Sequence, residues 1–163
     1  MSDQISYTRS HDPYGRGLVS VAAFVDKTPI VGAFVAVMDL AIAGRGLCLE
    51  SYQTRAFRAG DVCELIVSDQ ADAGPGGTVA DATYLGFVRL DTAGLMVVGD
   101  RVLVGGAPVA TVLGFDATHL PNHYNVVLYC EQPRTGAALG VRAGDQVEIL
   151  AAGTGSTDGR GPT

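Results

Sequence analysis

Three stretches of this chain share one pattern: Phe57-Arg58-Ala59-Gly60-Asp61-Val62-Cys63-Glu64, Met96-Val97-Val98-Gly99-Asp100-Arg101-Val102-Leu103 and Val141-Arg142-Ala143-Gly144-Asp145-Gln146-Val147-Glu148. Each places Gly-Asp directly before an alternating run. Glycine reaches backbone conformations closed to other residues and aspartate accepts hydrogen bonds from turn amides, so Gly-Asp is the chemistry of a tight turn feeding a strand. Three such turns predict a β-structure assembled from similar units. A second echo, Tyr84-Leu85-Gly86-Phe87 and Val112-Leu113-Gly114-Phe115, points to two related halves. Short strands at regular spacing favour closure, which removes sticky sheet edges. The expected fold class is therefore all-β, a small closed or nearly closed barrel with internal repeats.

Along the chain, residues 1–15 are polar and turn-rich and read as a flexible N-terminal arm. Residues 16–151 read as a single barrel domain, and the low-complexity stretch 152–163 as a disordered tail. Leu18 to Val25 and Ile30 to Ala43 are rich in Val, Ala and Phe, and Asp26-Lys27-Thr28-Pro29 between them reads as a hairpin connection. The second run could also be a buried helix by composition; strand is preferred. Thr78 to Leu90, Ala107 to Phe115, Tyr124 to Glu131 and Gln146 to Leu150 are further strand candidates. Gln70 to Thr78 is a glycine-rich connector, without the Lys-Ser/Thr that a phosphate-gripping loop needs.

A chain of 163 residues, 47% hydrophobic and 17% charged, has enough apolar material for a core without disulfides or metal staples. A net charge of -6 with no basic cluster argues against nucleic acid and against an anionic membrane surface, since phosphate backbones demand grouped Lys and Arg. Asp39 interrupts the longest apolar run, Val31 to Ala43, so no membrane span is expected. Cys48, Cys63 and Cys130 are isolated among apolar neighbours, and no secretory leader is visible at Met1-Ser2-Asp3-Gln4. They read as small buried hydrophobes of a cytoplasmic protein. Ten of the eleven basic residues are Arg and only Lys27 is Lys, which with abundant Ala and Gly suggests a GC-rich bacterial source.

Chemistry concentrates in Leu113 to Asn125. This stretch holds two of the three histidines, His119 and His123, together with Asp116, Thr118, Asn122, Tyr124 and Asn125. Different titrating and hydrogen-bonding groups crowded into one loop are what a catalytic or ligand-binding site requires. Pro121 disfavours a helix through the motif, so the two rings should be presented by a turn running into a strand. With strand alternation, His123 and Asn125 should face one side and Tyr124 the other.

The segment Gly114-Phe115-Asp116 followed by His119-Leu120-Pro121-Asn122-His123-Tyr124-Asn125 resembles the signature of a family of small actinobacterial proteins without an assigned activity, a likeness running from Val102 to Glu148. More distantly, Leu113-Gly114-Phe115, Pro121 with Asn125-Val126, and Leu139 to Val147 resemble, in that order, the archaeal CTP-dependent riboflavin kinases and their cradle-loop barrel. In those kinases the middle motif reads Pro-Gly-Thr-Leu-Asn-Val, and its Thr and Asn hold metal and nucleotide phosphates. His123 stands here in place of that Thr, and the glycine-rich nucleotide motif is missing. The resemblance thus implies the barrel rather than the kinase activity.

Imidazole titrates near neutral pH and exchanges protons both ways, so His119 and His123 are expected to act as general acid and base on a small organic substrate. Asp116 or Thr118 would orient a ring, Asn122 or Asn125 would hold a developing oxyanion, and Tyr124 would contact substrate. The expected protein is a homo-oligomeric enzyme of lyase, isomerase or cyclase type in bacterial biosynthesis, needing no metal and no cofactor. Two other readings compete. One is a two-histidine, one-carboxylate metal site made by Asp116, His119 and His123. The other is a nucleotide- or metabolite-binding barrel without chemistry, related to the riboflavin kinase fold.

Overall fold

The computed structural model describes residues 12–153. Eleven strands follow one short 3-10 turn at Val21–Ala23: β1 (Ile30–Ile42), β2 (Leu47–Cys48), β3 (Thr54–Phe57), β4 (Val62–Ser68), β5 (Thr78–Val79), β6 (Ala82–Leu90), β7 (Gly94–Val97), β8 (Arg101–Val104), β9 (Ala107–Asp116), β10 (Tyr124–Tyr129) and β11 (Gln146–Leu150). Seven of them close a barrel in the order β1-β11-β8-β9-β10-β4-β6, and the remaining four make the two-stranded ribbons β2-β5 and β3-β7. The fold is an all-β small barrel, as the repeated turns implied. Among the described residues no helix is long and apolar enough to cross a membrane.

The Gly-Asp pattern builds the same turn three times. Gly60, Gly99 and Gly144 sit at φ +93°, +94° and +94°, a region that side chains with a Cβ rarely enter. Asp61, Asp100 and Asp145 each accept a bond from the amide three residues earlier, from Arg58, Val97 and Arg142, at 2.7, 2.8 and 2.8 Å. Each turn also clips onto a strand of the barrel. Gly60 and Asp61 bond Leu90, Gly99 and Asp100 bond Val112, and Gly144 and Asp145 bond Phe34. One five-residue sequence signal thus sets the entrances to β4, β8 and β11. The second echo is also structural. Between β4 and β6 the register skips Leu85, and between β10 and β9 it skips Leu113, so both Leu-Gly-Phe segments carry a bulge at the same place.

Alternation on these strands sorts side chains to two cores. Cys63, Leu65 and Val67 on β4 and Tyr124, Val126 and Leu128 on β10 enter the barrel cluster with Phe34, Phe115 and Ile149. Ile66, Val127, Leu113 and Tyr84 face the other way, into a smaller cluster closed by Leu47, Leu49 and Val79 around the β2-β5 ribbon. At about 25 cal/mol per Å2 of buried apolar surface, each such Leu or Ile contributes roughly 2 kcal/mol.

Two expectations need correction. Leu18 to Val25 is not a strand: Leu18 is 64% and Val25 92% exposed, and only the turn at Val21–Ala23 is regular there. A strand needs a partner edge, and β11 and β6 already occupy the two edges of β1 where a hairpin from Asp26 to Pro29 would dock. Nor are all three cysteines buried. Cys63 is, Cys130 is half-buried and Cys48 is exposed, because Cys48 lies on the outer side of a short ribbon while its neighbour Leu47 points into the smaller core. Of the expected arm, residues 1–11 lie outside the described part, as do residues 154–163 of the expected tail. Asp12 to Gly15 form a turn held by the Asp12 carboxylate, and the Tyr14 hydroxyl accepts a hydrogen bond from Thr54 Oγ1.

Candidate functional site

All barrel neighbours run antiparallel except β10 and β4, which are parallel and bring their first residues to the same end. Register then sets four side chains in one row on the outer face. Phe87 on β6 pairs with Glu64 on β4, Glu64 with Asn125 on β10, and Asn125 with Asp116 on β9. The connection from Ala117 to His123 folds back over that row. It is a turn, as Pro121 required, held by Leu120 N to Ala117 O and by Asn122 N to His119 O, with a cis Leu120-Pro121 bond.

Asp116 anchors the turn. It is 1% exposed, and its oxygens accept four bonds: from Cys48 N, Thr118 N, Thr118 Oγ1 and Asn125 Nδ2, at 3.1, 3.0, 3.0 and 2.9 Å. A carboxylate has about four lone-pair positions, so little acceptor capacity remains. Asn125, 0% exposed, passes this order on to the ring above it. Because an aspartate oxygen takes only donors, the amide nitrogen of Asn125 donates to Asp116, and His119 Nδ1 lies 3.3 Å from that nitrogen and 3.4 Å from Asn125 Oδ1. The Asn125 carboxamide therefore engages Nδ1 of His119 and leaves Nε2 as the ring nitrogen for chemistry.

His123 is paired differently. Its Nδ1 lies 2.8 Å from Asn122 Nδ2 and its Nε2 3.3 Å from Glu64 Oε2, while its ring meets Phe87 edge-on at a centroid distance of 4.9 Å. Glu64 is only 4% exposed. A buried carboxylate is costly without a positive partner, and the group facing this one is the His123 imidazole. The two imidazole centroids are 4.9 Å apart, and one ligand atom from each of Glu64, His119 and His123 falls within 4.8 Å of the others.

Beside this cluster opens a cleft of about 260 Å3 lined by His123, Asn122, Pro121, Tyr124, Phe57 and Arg55 among others. Tyr124 points to the opposite face from His123 and Asn125, as alternation required, and packs edge-on against Phe57 in the barrel cluster. The Arg55 guanidinium lies 4.2 Å from the centroid of the Tyr124 ring and brings positive charge to the cleft. Burial raises the Tyr124 phenol above its ordinary value of 10.0, more than the neighbouring Arg55 lowers it. Thr118, His119 and Asn122 are exposed, so the turn offers them to solvent.

The loop residues His119, His123, Asp116, Thr118, Asn122 and Asn125 do come together, but Asp116 stands beneath the rings instead of between them. Glu64 takes the place facing His123. Its only trace in the sequence is phase: Cys63 and Leu65 are apolar on one face of a strand that follows a Gly-Asp turn, which turns Glu64 to the other.

Residues 24–150 match the model of a family of unknown function, DUF6917. The chain belongs to this family. The matched DUF6917 region contains every barrel strand and every residue of the cluster. No curated protein and no solved structure matches the chain.

Proposed function

We propose that this protein is a small metabolic enzyme that moves protons on a small organic substrate, a lyase, isomerase or cyclase by reaction type, with His119, His123 and Glu64 as its reactive cluster. The observation that carries this reading is the division of labour between the two rings. His119 has its Nδ1 engaged by the Asn125 carboxamide and its Nε2 left for substrate, whereas His123 faces a buried carboxylate that compensates positive charge. One side of the cluster is suited to take a proton and the other to return it, on rings close enough to serve a single substrate. Asp116 and Thr118 serve as positioning residues. Arg55 and Tyr124 in the adjoining cleft favour a substrate with an anionic group, and exposed Asn122 is the carboxamide placed to meet an oxyanion.

The proposed setting is the cytoplasm of an actinobacterium, in biosynthesis, as a homo-oligomer. Exposed apolar side chains on β1, Leu40 and Ile42, with Leu120 beside the cluster, support self-association. The test is incubation of the purified protein with a bacterial metabolite extract, followed by mass spectrometry for features that fall and products that rise. Turnover is expected with the natural sequence and should drop at least about a hundredfold in His119→Ala or His123→Ala, the usual worth of an acid or base. The melting temperature of His119→Ala should stay close to that of the natural sequence, because this exposed ring stands outside the two apolar cores, whereas His123→Ala should melt lower because buried Glu64 loses its facing partner. Unchanged turnover in both variants overturns the reading. A metabolite that co-purifies and is never consumed favours the binding barrel instead.

A further inference from the structure

We propose that Glu64, His119 and His123 hold one divalent first-row transition-metal ion, a refinement that rests on reading this cluster as the reactive site. Two imidazoles and one carboxylate are a donor set for such ions that leaves coordination positions open for water or substrate. In the sequence the carboxylate of the metal reading is Asp116, and the fold puts Glu64 in its place. Asp116 is spent on four donors, whereas Glu64 Oε2 has His123 Nε2 as its hydrogen-bonding neighbour.

Second, the surroundings orient both rings as ligands. A metal-bound histidine gives its other N–H to an oxygen, which fixes the ring and strengthens the donor. Asn125, held by Asp116, lies against His119 Nδ1 with Oδ1 at 3.4 Å and Nδ2 at 3.3 Å; when Oδ1 is the acceptor, Nδ1 carries the proton and the Nε2 lone pair of His119 is free to bind an ion. Asn122 lies against His123 Nδ1 through its Nδ2, at 2.8 Å. When its carboxamide presents Oδ1 instead of Nδ2, His123 carries its proton on Nδ1 and Nε2 is free to bind an ion beside Glu64.

Third, the distances suit a site that closes on its ion. Donors about 2.1 Å from an ion and about 90–109° apart stand about 3.0–3.4 Å from one another. The present spread of up to 4.8 Å needs a closing of about 1.4 Å or more, in which exposed His119 takes part by rotating its ring. The ion supplies the positive charge that buried Glu64 calls for. With the imidazole Nε2 atoms engaged as ligands, the ion would supply an acidified water at an open position as the proton acceptor in place of His119, with the substrate still entering from the cleft beside Arg55.

The experiment is titration of the chelator-stripped full chain with Co2+, followed by its visible absorption, and with Zn2+ by calorimetry. One ion per chain is expected, with the absorption of a low-symmetry cobalt centre. Affinity should fall by at least about tenfold in His123→Ala, Glu64→Gln and His119→Ala, and by a similar factor in Asn125→Ala, which touches no ion. Asn122→Ala, on an exposed side chain, provides a variant whose folding is not in question and whose affinity should also drop. Absence of stoichiometric binding, or binding indifferent to all these changes, overturns the metal site. Turnover of the stripped protein at full rate overturns it too while leaving proton transfer at the histidines intact, and turnover insensitive to both histidines sinks that reading instead.

Discussion

Cys63 and Glu64 are adjacent on β4, and the strand sends them to opposite environments. Cys63 is enclosed in the barrel, where burial, reinforced by the charge of Asp61, pushes its thiol from 9.0 up to about 12. Below pH 9.0 the thiol is neutral whether the chain is folded or unfolded, and the stabilisation is fully present. Above that value the unfolded chain releases the proton and the folded one keeps it, so stability is lost as pH rises toward about 12. The slope is about 1.4 kcal/mol per pH unit for one group. Denaturant unfolding between these pH values should therefore show this fall in the natural sequence and a shallower one in Cys63→Val; equal slopes would contradict it. Glu64, one residue on, reaches the outer face and the His123 ring. The loop groups were legible because they are crowded within the ten residues from Asp116 to Asn125 and their order limits which can meet. Glu64 was not, because its meeting with His123 depends on a parallel pairing between strands 59 residues apart.

The strands inherit their order from turns that are readable and from partners that are not. Asp61, Asp100 and Asp145 fulfil the same turn geometry, so their loss should cost different amounts only where their surroundings differ. Asp145 and Asp61 make a turn bond near the surface, and Asp145→Ala should lower stability by about 1 kcal/mol. Asp100 is 2% exposed and also pairs with Lys27 Nζ at 2.7 Å, so Asp100→Ala leaves a cation with no partner at a side chain only 10% exposed and should cost about 3 kcal/mol or more. Chemical denaturation of the two variants measures this, and equal losses would contradict it. Gly86 in the Leu-Gly-Phe echo has a purpose that composition cannot reveal: at φ +143°, a Cβ there would run into the carbonyl of Ala36 on β1. Leu18 to Val25 misled for the converse reason. Its apolar composition suits a strand, but edge pairing is decided by β6 and β11, elements far along the chain.

At the scale of the molecule, barrel closure converts local turns into a functional surface. The parallel seam between β4 and β10 is the one departure from antiparallel neighbours, and it aligns Glu64 with Asn125 below the turn that carries both histidines. Closure was legible from repeated turns, whereas the location of the cluster on the outer face beside that seam was not, since neither composition nor motif spacing specifies which strands run parallel. If this seam assembles the reactive cluster, the most direct measurement is turnover of Glu64→Gln in the metabolite-extract assay, paired with its melting curve. Gln keeps the shape of Glu64 and removes its charge. The account predicts a fold that melts close to the natural sequence and turnover reduced by about a hundredfold or more. Full turnover by a correctly folded Glu64→Gln protein would contradict it.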